Sequence, residues 1–382
     1  MADGSVEHDG YVVSLYEQDD ERWSKCEQDL DDAGVSLPLV HRREWAETVG
    51  GRHWLVSAAD RAGTCRAAIA VEARATRAMP GHVVLRSEHV GATNAPWPAQ
   101  CAALVGLRKL AAERARVLRL EVALFARDAA QRAALGQELE ALGCSRAVAA
   151  QSYVTTSTID LTPTEEELLA SFHGTARRHI RAVAKRPVSL RVIDDERLAP
   201  AMHALIVETR RRTGGAVPQR PITGWIDLAR RRPDWLRIVG VFADEDEELV
   251  AFACGHLHGD HAVYSDAASV RRDALKLPLG YAPAWELMRW GKSLGARWFD
   301  FGGITDGSHH DAHDALGGIS DFKRYFKGSI EQVGEEWYVD ARPRRALVAR
   351  AVHEAATTLR GVRSRLWGAS TMYATSWVDP KA

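Results

Sequence analysis

Trp298-Phe-Asp-Phe-Gly-Gly-Ile304, followed by Gly318-Ile-Ser-Asp-Phe-Lys-Arg-Tyr-Phe326, are the stretches on which the fold turns. The first reads as a strand ending in two glycines, which permit positive φ or a close backbone approach. The second reads as a short helix over Ile319–Phe326 that carries Lys323 beside Phe322. Upstream, the spacing predicts a helix from Leu279 to Leu294, opened by Pro278 and closed by Gly295. Before it lies a meander of Leu236–Phe242, Leu249–His258 and His261–Ser265, with the short polar connections that hairpins use. Two helices, Glu165–Lys185 and Leu198–Arg212, precede the meander, and a strand over Ile330–Val339 follows the short helix.

The first half runs through a similar order. It reads as a helix at Arg42–Val49, strands at His53–Ala59, Cys65–Ala73 and His82–Ser87, a helix at Gln100–Arg114, a strand at Val117–Val122, a helix at Ala129–Leu142 and a strand at Val148–Leu161. Repetition of this order predicts an α/β chain made of two related mixed units, residues 1–155 and 156–382, the second ending in a basic helix at Arg344–Leu366. A length of 382 residues agrees with two domains.

Composition narrows the function classes. With 46% hydrophobic and 26% charged residues, the chain is neither disordered nor fibrous. No apolar run approaches the roughly 18 residues a spanning helix needs, so no membrane insertion is expected. The N-terminus lacks the basic and apolar regions of a secretory signal, and five dispersed cysteines without a Cys-x-x-Cys pair argue against a disulfide framework or a thiolate zinc site. A cytoplasmic protein is expected. The net charge of -1 conceals an asymmetry: residues 1–35 hold eleven acids against Arg22 and Lys25, whereas 171–232 and 342–365 are Arg-rich. Such clusters are either a footprint for a polyanion or a solvated surface.

Taken together, the two opening stretches, Leu37-Pro-Leu-Val-His-Arg-Arg-Glu-Trp45, Thr158-Ile-Asp-Leu161 and the basic helix Arg177-Arg-His-Ile-Arg-Ala-Val-Ala-Lys185 resemble the FemABX family of aminoacyl-tRNA-dependent aminoacyltransferases, which build peptidoglycan cross-bridges. The resemblance covers about Leu37 to Val339. It implies two tandem acetyltransferase-like (GNAT) domains and attack by an acceptor amine on the ester of a charged tRNA. It implies no bound cofactor, the aminoacyl-tRNA being a co-substrate. Lys323 matches the family's functional lysine after Phe322, where an ammonium can stabilise an oxyanion or the tRNA end. Glu121 stands where the family carries an acid at a strand end, suited to orienting or deprotonating the amine, and Arg220 matches an arginine that grips the acceptor's phosphate. Arg177, Arg178, Arg181, Lys185 and Arg324 are the expected tRNA contacts.

The acceptor side departs from the family pattern. Val49 replaces a phosphate-binding lysine, Gly224 replaces an aromatic that the adjacent Trp225 can substitute, and Tyr264-Ser-Asp266 stands where Tyr-x-Tyr is usual. Losing a cation and gaining an acid points away from a pyrophosphate-bearing acceptor and towards a small, amine-rich molecule, as in antibiotic biosynthesis. A muropeptide acceptor is the alternative. His256-x-His258-x-x-His261 with Asp260 lacks the spacing of a known zinc site, so no metal is expected. The His309–Asp314 stretch reads as a polar loop. A CoA-dependent acyltransferase would need a Gly-rich pyrophosphate loop, and Leu275–Gly280 lacks its first two cues. A non-catalytic binding protein would need neither Lys323 nor Arg220 in these contexts.

Overall fold

A computed structural model describes residues 6–213, 217–244, 247–270, 278–307 and 317–367. It divides the chain into two units, the first running to Val154 and resuming at Val333, the second spanning Thr155–Gln332.

The first unit is built on strands β1 (Val6–His8), β2 (Tyr11–Glu17), β3 (Arg52–Ala59), β4 (Cys65–Ala75), β5 (Val83–Val90), β6 (Val117–Phe125) and β7 (Ser145–Arg146), with the late strand β15 (Gly334–Asp340). Their order is β1-β2-β3-β4-β5-β6-β15-β7. Only β5 and β6 run parallel, because helix α3 (Trp97–Glu113) crosses over between them. That helix lies close on the sheet: a Cβ on Gly106 would come within 2.5 Å of the Val13 and Val56 side chains, so only glycine fits there. Helices α1 (Glu21–Asp32), α2 (Arg43–Val49), α4 (Ala129–Ala141) and α11 (Pro343–Trp367) complete the unit. Asp20 caps α1 by accepting from the Arg22 N–H, and the helix buries Trp23, Cys26 and Leu30 along one stripe.

The second unit repeats the plan. Strands β8 (Thr155–Asp160), β9 (Val188–Val192), β10 (Leu236–Ala243), β11 (Leu249–His258), β12 (His261–Ser269), β13 (Trp298–Gly303) and β14 (Ser329–Gln332) are ordered β14-β8-β13-β12-β11-β10-β9. Helices α5 (Glu165–Ser171), α6 (Gly174–Ala182), α7 (Ala199–Thr213), α8 (Ile222–Arg231), α9 (Tyr281–Ser293) and α10 (Gly317–Arg324) accompany them. Again one pair, β12 and β13, is parallel, and α9 is its crossover. Meander, crossover helix and parallel strand thus occur twice, as the element order predicts. Phe172, Trp285, Phe299, Phe301 and Phe326 form the aromatic part of the second core.

Several expectations need correction. The boundary at 155/156 is close, but the assignment of everything beyond it to the second unit is not: β15 pairs along its whole length with β6 of the first. The expected strand Ile330–Val339 is therefore two strands in two sheets, parted at Val333. The single helix over Glu165–Lys185 breaks between α5 and α6, where buried Phe172 anchors the chain and His173 Nδ1 accepts from the Thr175 N–H to start the next helix. The strand over Val148–Leu161 is confined to β8. Helix α1 lays Cys26 against the first residue of β4, and Cys26 and Cys65 are joined in a buried disulfide, against the expectation of free thiols; Cys101, Cys144 and Cys254 are free and buried. The segment 368–382 and the His309–Asp314 loop lie outside the described residues, as do residues 275–277 of Leu275–Gly280.

Candidate active site

The site begins where two parallel strands separate. β12 and β13 pair only at His261↔Trp298, Ala262↔Phe299 and Val263↔Asp300, after which no register partner joins them. In the first unit the corresponding strands β5 and β6 stay paired from Val83 to Val90, with the register shifting on the way. The second unit therefore ends the pairing of its parallel strands earlier than the first does.

The end of β13 shapes one wall. Gly302 has φ +70°, a conformation that side chains rarely adopt, and its N–H donates to Asp300 Oδ1 at 2.6 Å. The Asp300 carboxylate is fully buried and also accepts from the Thr156 hydroxyl, which bonds the Gly302 carbonyl at 2.8 Å as well. This clamp turns the chain so that the Gly303 carbonyl accepts a hydrogen bond from Lys323 Nζ on α10. Lys323 is only 6% exposed. Burial pulls its pKa down to about 8, with Asp300 opposing the shift. The expected lysine is thus a buried amine at the strand opening, close to its own titration point at neutral to mildly alkaline pH.

Arg324, an expected tRNA contact, is engaged by the chain around it. Its guanidinium donates to the carbonyls of Thr305 and Gly307 (2.7 Å for the latter) and to Asp321 at 3.0 Å. With Ser320, whose hydroxyl meets the Thr305 N–H at 3.0 Å, it fixes the chain after β13 and is a positioning residue.

The other wall is aromatic. Phe322 lies 4.9 Å from Tyr281, 6.0 Å from Phe301 and 6.3 Å from Tyr264, ring centre to ring centre. Burial pushes the Tyr281 phenol up to about 12 and raises the Tyr264 phenol as well, so both stay protonated. Beyond Tyr264 the register of β11 with β12 passes from Gly255↔Tyr264 to Ala253↔Ala267. Ser265 and Asp266 thus oppose the single residue Cys254, a β-bulge that redirects the strand's side chains. Asp266 Oδ1 sits 3.3 Å from Arg220 Nη2, and the Arg220 guanidinium lies 5.7 Å from the Trp225 ring. Lys323, Phe322, Tyr264, Asp266, Arg220 and Trp225 thus lie within one unit, where the Phe322 ring reaches Tyr264 and Asp266 pairs with Arg220 beside Trp225. Asp300, Thr156 and Cys254 join this set without having been singled out from sequence. A buried acid between two phenylalanines just before Gly-Gly was the signal available for Asp300.

Glu121 does not belong to this set. It lies in the first unit, directly across from Arg86 in the β5–β6 register, at 3.2 Å from its Nη1. Arg86, itself buried, also holds Glu336 at 2.6 Å and Glu88 at 2.7 Å, and donates to Ser152 at 2.6 Å. Burial raises the Glu121 carboxyl against the pull of Arg86 and Arg119. It is one corner of a buried ion cluster, not a solvated strand-end acid.

On α6, Arg177 donates to the carbonyls of Ala170 (2.5 Å) and Phe172 (3.0 Å), closing the end of α5. Arg178, Arg181 and Lys185 are exposed, and among the described residues none pairs with a carboxylate. His256, His258 and His261 stack in a row, with His261 on Trp298 at 4.2 Å, and no cluster of described residues suits a metal ion. No described helix is long and apolar enough to cross a membrane.

Residues 170–324 match a family model described as an acetyltransferase (GNAT) domain. No curated protein matches the chain in sequence. Among solved structures, FemX is similar at a TM-score of 0.64 and 15% identity, over 82% of this chain and 95% of FemX. L-PGS from Bacillus licheniformis is similar at 0.51 and 15% identity, over 91% of this chain and 99% of its own. Fold and family match agree on a GNAT-like fold. More particularly, the similarity to FemX extends beyond the family match, which stops short of the first unit, to 82% of the chain.

Proposed function

We propose that the chain is an aminoacyl-tRNA-dependent aminoacyltransferase that forms an amide bond between the aminoacyl group and a small-molecule amine. The observation that carries this reading is the buried Lys323 at the end of β13, where β12 and β13 cease to pair and Phe322 lies against Tyr264 and Phe301. Amide formation from an ester needs a neutral amine, a donor for the developing oxyanion and exclusion of water. Lys323, anchored on the Gly303 carbonyl, retains two further N–H donors for the oxyanion or the tRNA end. Tyr264 and Tyr281 supply an apolar wall with protonated hydroxyls. Arg178, Arg181 and Lys185 offer an exposed cationic helix for the polynucleotide. A cytoplasmic setting belongs to the same reading, since charged tRNA is the donor.

The Arg220–Asp266 pair supports a metabolite acceptor over a muropeptide precursor, because a phosphate approaching Arg220 meets the Asp266 carboxylate. The GNAT match favours a second reading, transfer from acyl-CoA. Bulk tRNA charged with labelled amino acids, incubated with a panel of amines, tests both. Label in an RNase-resistant amide, absent with uncharged tRNA, is the expected result. Transfer from acetyl-CoA but not from charged tRNA would establish the second reading instead.

A further inference from the structure

We infer that the Arg220–Asp266 pair takes the acceptor as an α-amino acid, or a molecule ending in one, with the carboxylate against Arg220 and the amine against Asp266. The inference rests on the transferase reading only for the fate of that amine.

Arg220 and Asp266 face each other at 3.3 Å, yet their side chains remain 36% and 23% exposed. Such a pair is weak by itself and exchanges its partners with solutes. What can replace it follows from charge. A simple cation is drawn by Asp266 but repelled by the adjacent guanidinium, and a simple anion meets the converse. A solute carrying both charges close together satisfies both groups at once, giving four charges of alternating sign and leaving none unpaired. The planar guanidinium suits a carboxylate in particular, through two parallel N–H donors.

Position adds a direction. The bulge that sets Ser265 and Asp266 opposite Cys254 places the acid two residues beyond Tyr264, whose ring reaches Phe301 and Phe322. An amine held at Asp266 is therefore on the side of the pair that leads to Phe322 and Lys323. Trp225, buried beside Arg220, backs the guanidinium from the protein side. In the transfer, the bound ammonium first releases a proton to solvent. Its nitrogen then forms the new C–N bond as the ester C–O bond breaks, and the proton the nitrogen sheds ends on the leaving ribose oxygen.

Calorimetric titration of the full chain with alanine, alaninamide and N-acetylalanine, without tRNA, tests the inference. In the parent, alanine should bind at least about tenfold more tightly than either singly charged analogue, the ratio expected when one of two ion pairs is missing. Asp266→Asn should strengthen N-acetylalanine binding, and Arg220→Gln should strengthen that of alaninamide. These are increases in affinity, which unfolding cannot produce. Equal binding of alanine and alaninamide by the parent, absence of alanine binding at millimolar concentration, or variants that leave the preference unchanged would each overturn the inference. Because the titration contains no tRNA, such results leave the donor reading standing. Tight alanine binding without transfer from charged tRNA would reject the donor reading alone.

Discussion

Lys323 Nζ donates to the carbonyl oxygen of Gly303, the last residue of β13, so the ammonium and the strand end hold each other in place. The strand end is held in turn by Asp300, through the Gly302 N–H. A displacement anywhere in this series reaches the proposed reacting centre.

Lys323→Ala should lower single-turnover transfer by 10²–10³-fold, about 3–4 kcal/mol, as removal of one electrostatic donor does elsewhere. Lys323→Arg should not restore the rate, because a planar guanidinium does not fit where a compact ammonium is buried. Near-parental rates in both, at matched thermal stability, would remove Lys323 from the mechanism.

The same burial has a thermodynamic signature. The folded-state pKa of about 8 lies below the ordinary 10.5, so between these values the unfolded chain keeps a proton that the folded chain has released. Stability relative to Lys323→Met should therefore rise with pH across that window, by about 3 kcal/mol in all. Below pH 8 both states are protonated and the full penalty applies. Denaturant melts of the two proteins between pH 7.5 and 10.5 measure the difference, and parallel curves would contradict the burial of the amine.

Gly302→Ala should destabilise by about 1–2 kcal/mol, because φ +70° is unfavourable for a side chain. Its effect on rate should exceed its effect on melting, since the Gly303 carbonyl moves with it. An alanine variant with parental turnover would show that the strand end does not position Lys323.

The buried ion cluster predicts the opposite pattern. Arg86→Met should cost about 3–5 kcal/mol, since it strands the carboxylates of Glu121 and Glu336 in the interior. Glu121→Gln should leave the transfer rate unchanged once folding is matched. A rate loss of about 10²-fold or more in Glu121→Gln would return this residue to the catalytic set.

For tRNA, Arg178→Gln with Arg181→Gln and Lys185→Gln should reduce the slope of log affinity against log salt by about 2–3, close to one unit per lost phosphate contact. Arg177→Gln should instead lower thermal stability, because its partners are the carbonyls ending α5. A salt slope untouched by the triple change would place the polynucleotide elsewhere.

Local pattern carried much of the architecture. The meander, the helix after Pro278 and the strand into Gly302–Gly303 were legible because turn residues and periodicity agree there. The partition of Ile330–Val339 was not legible: nothing in its composition tells that Val333 separates pairing with β8 from pairing with β6. Helix α1 was hidden by its acids, although Trp23, Cys26 and Leu30 already stand at helical spacing. The Cys26–Cys65 pairing joins residues 39 apart and depends on how α1 lies over β4, which spacing does not encode. Phe322, Lys323, Tyr264, Asp266, Arg220 and Trp225 were singled out through the family resemblance, and all lie in the second unit. The burial of Glu121 was not legible, because an acid on a strand looks alike in sequence whether water or a buried arginine faces it.

The return of β15 to the first sheet also orders events in time. Val154 and Val333, which flank the whole second unit, are neighbours, with the Val333 N–H donating to the Val154 carbonyl at 2.9 Å. During synthesis the second unit is complete once Gln332 has emerged, whereas β6 still lacks the neighbour that Gly334–Asp340 will provide. The portion made first is thus finished last, and until then it presents an open strand edge of the kind that invites association with other chains. A nascent chain with Gln332 emerged and Gly334–Asp340 still in the exit tunnel would carry a closed second unit and an unfinished first one, a ready target for chaperones.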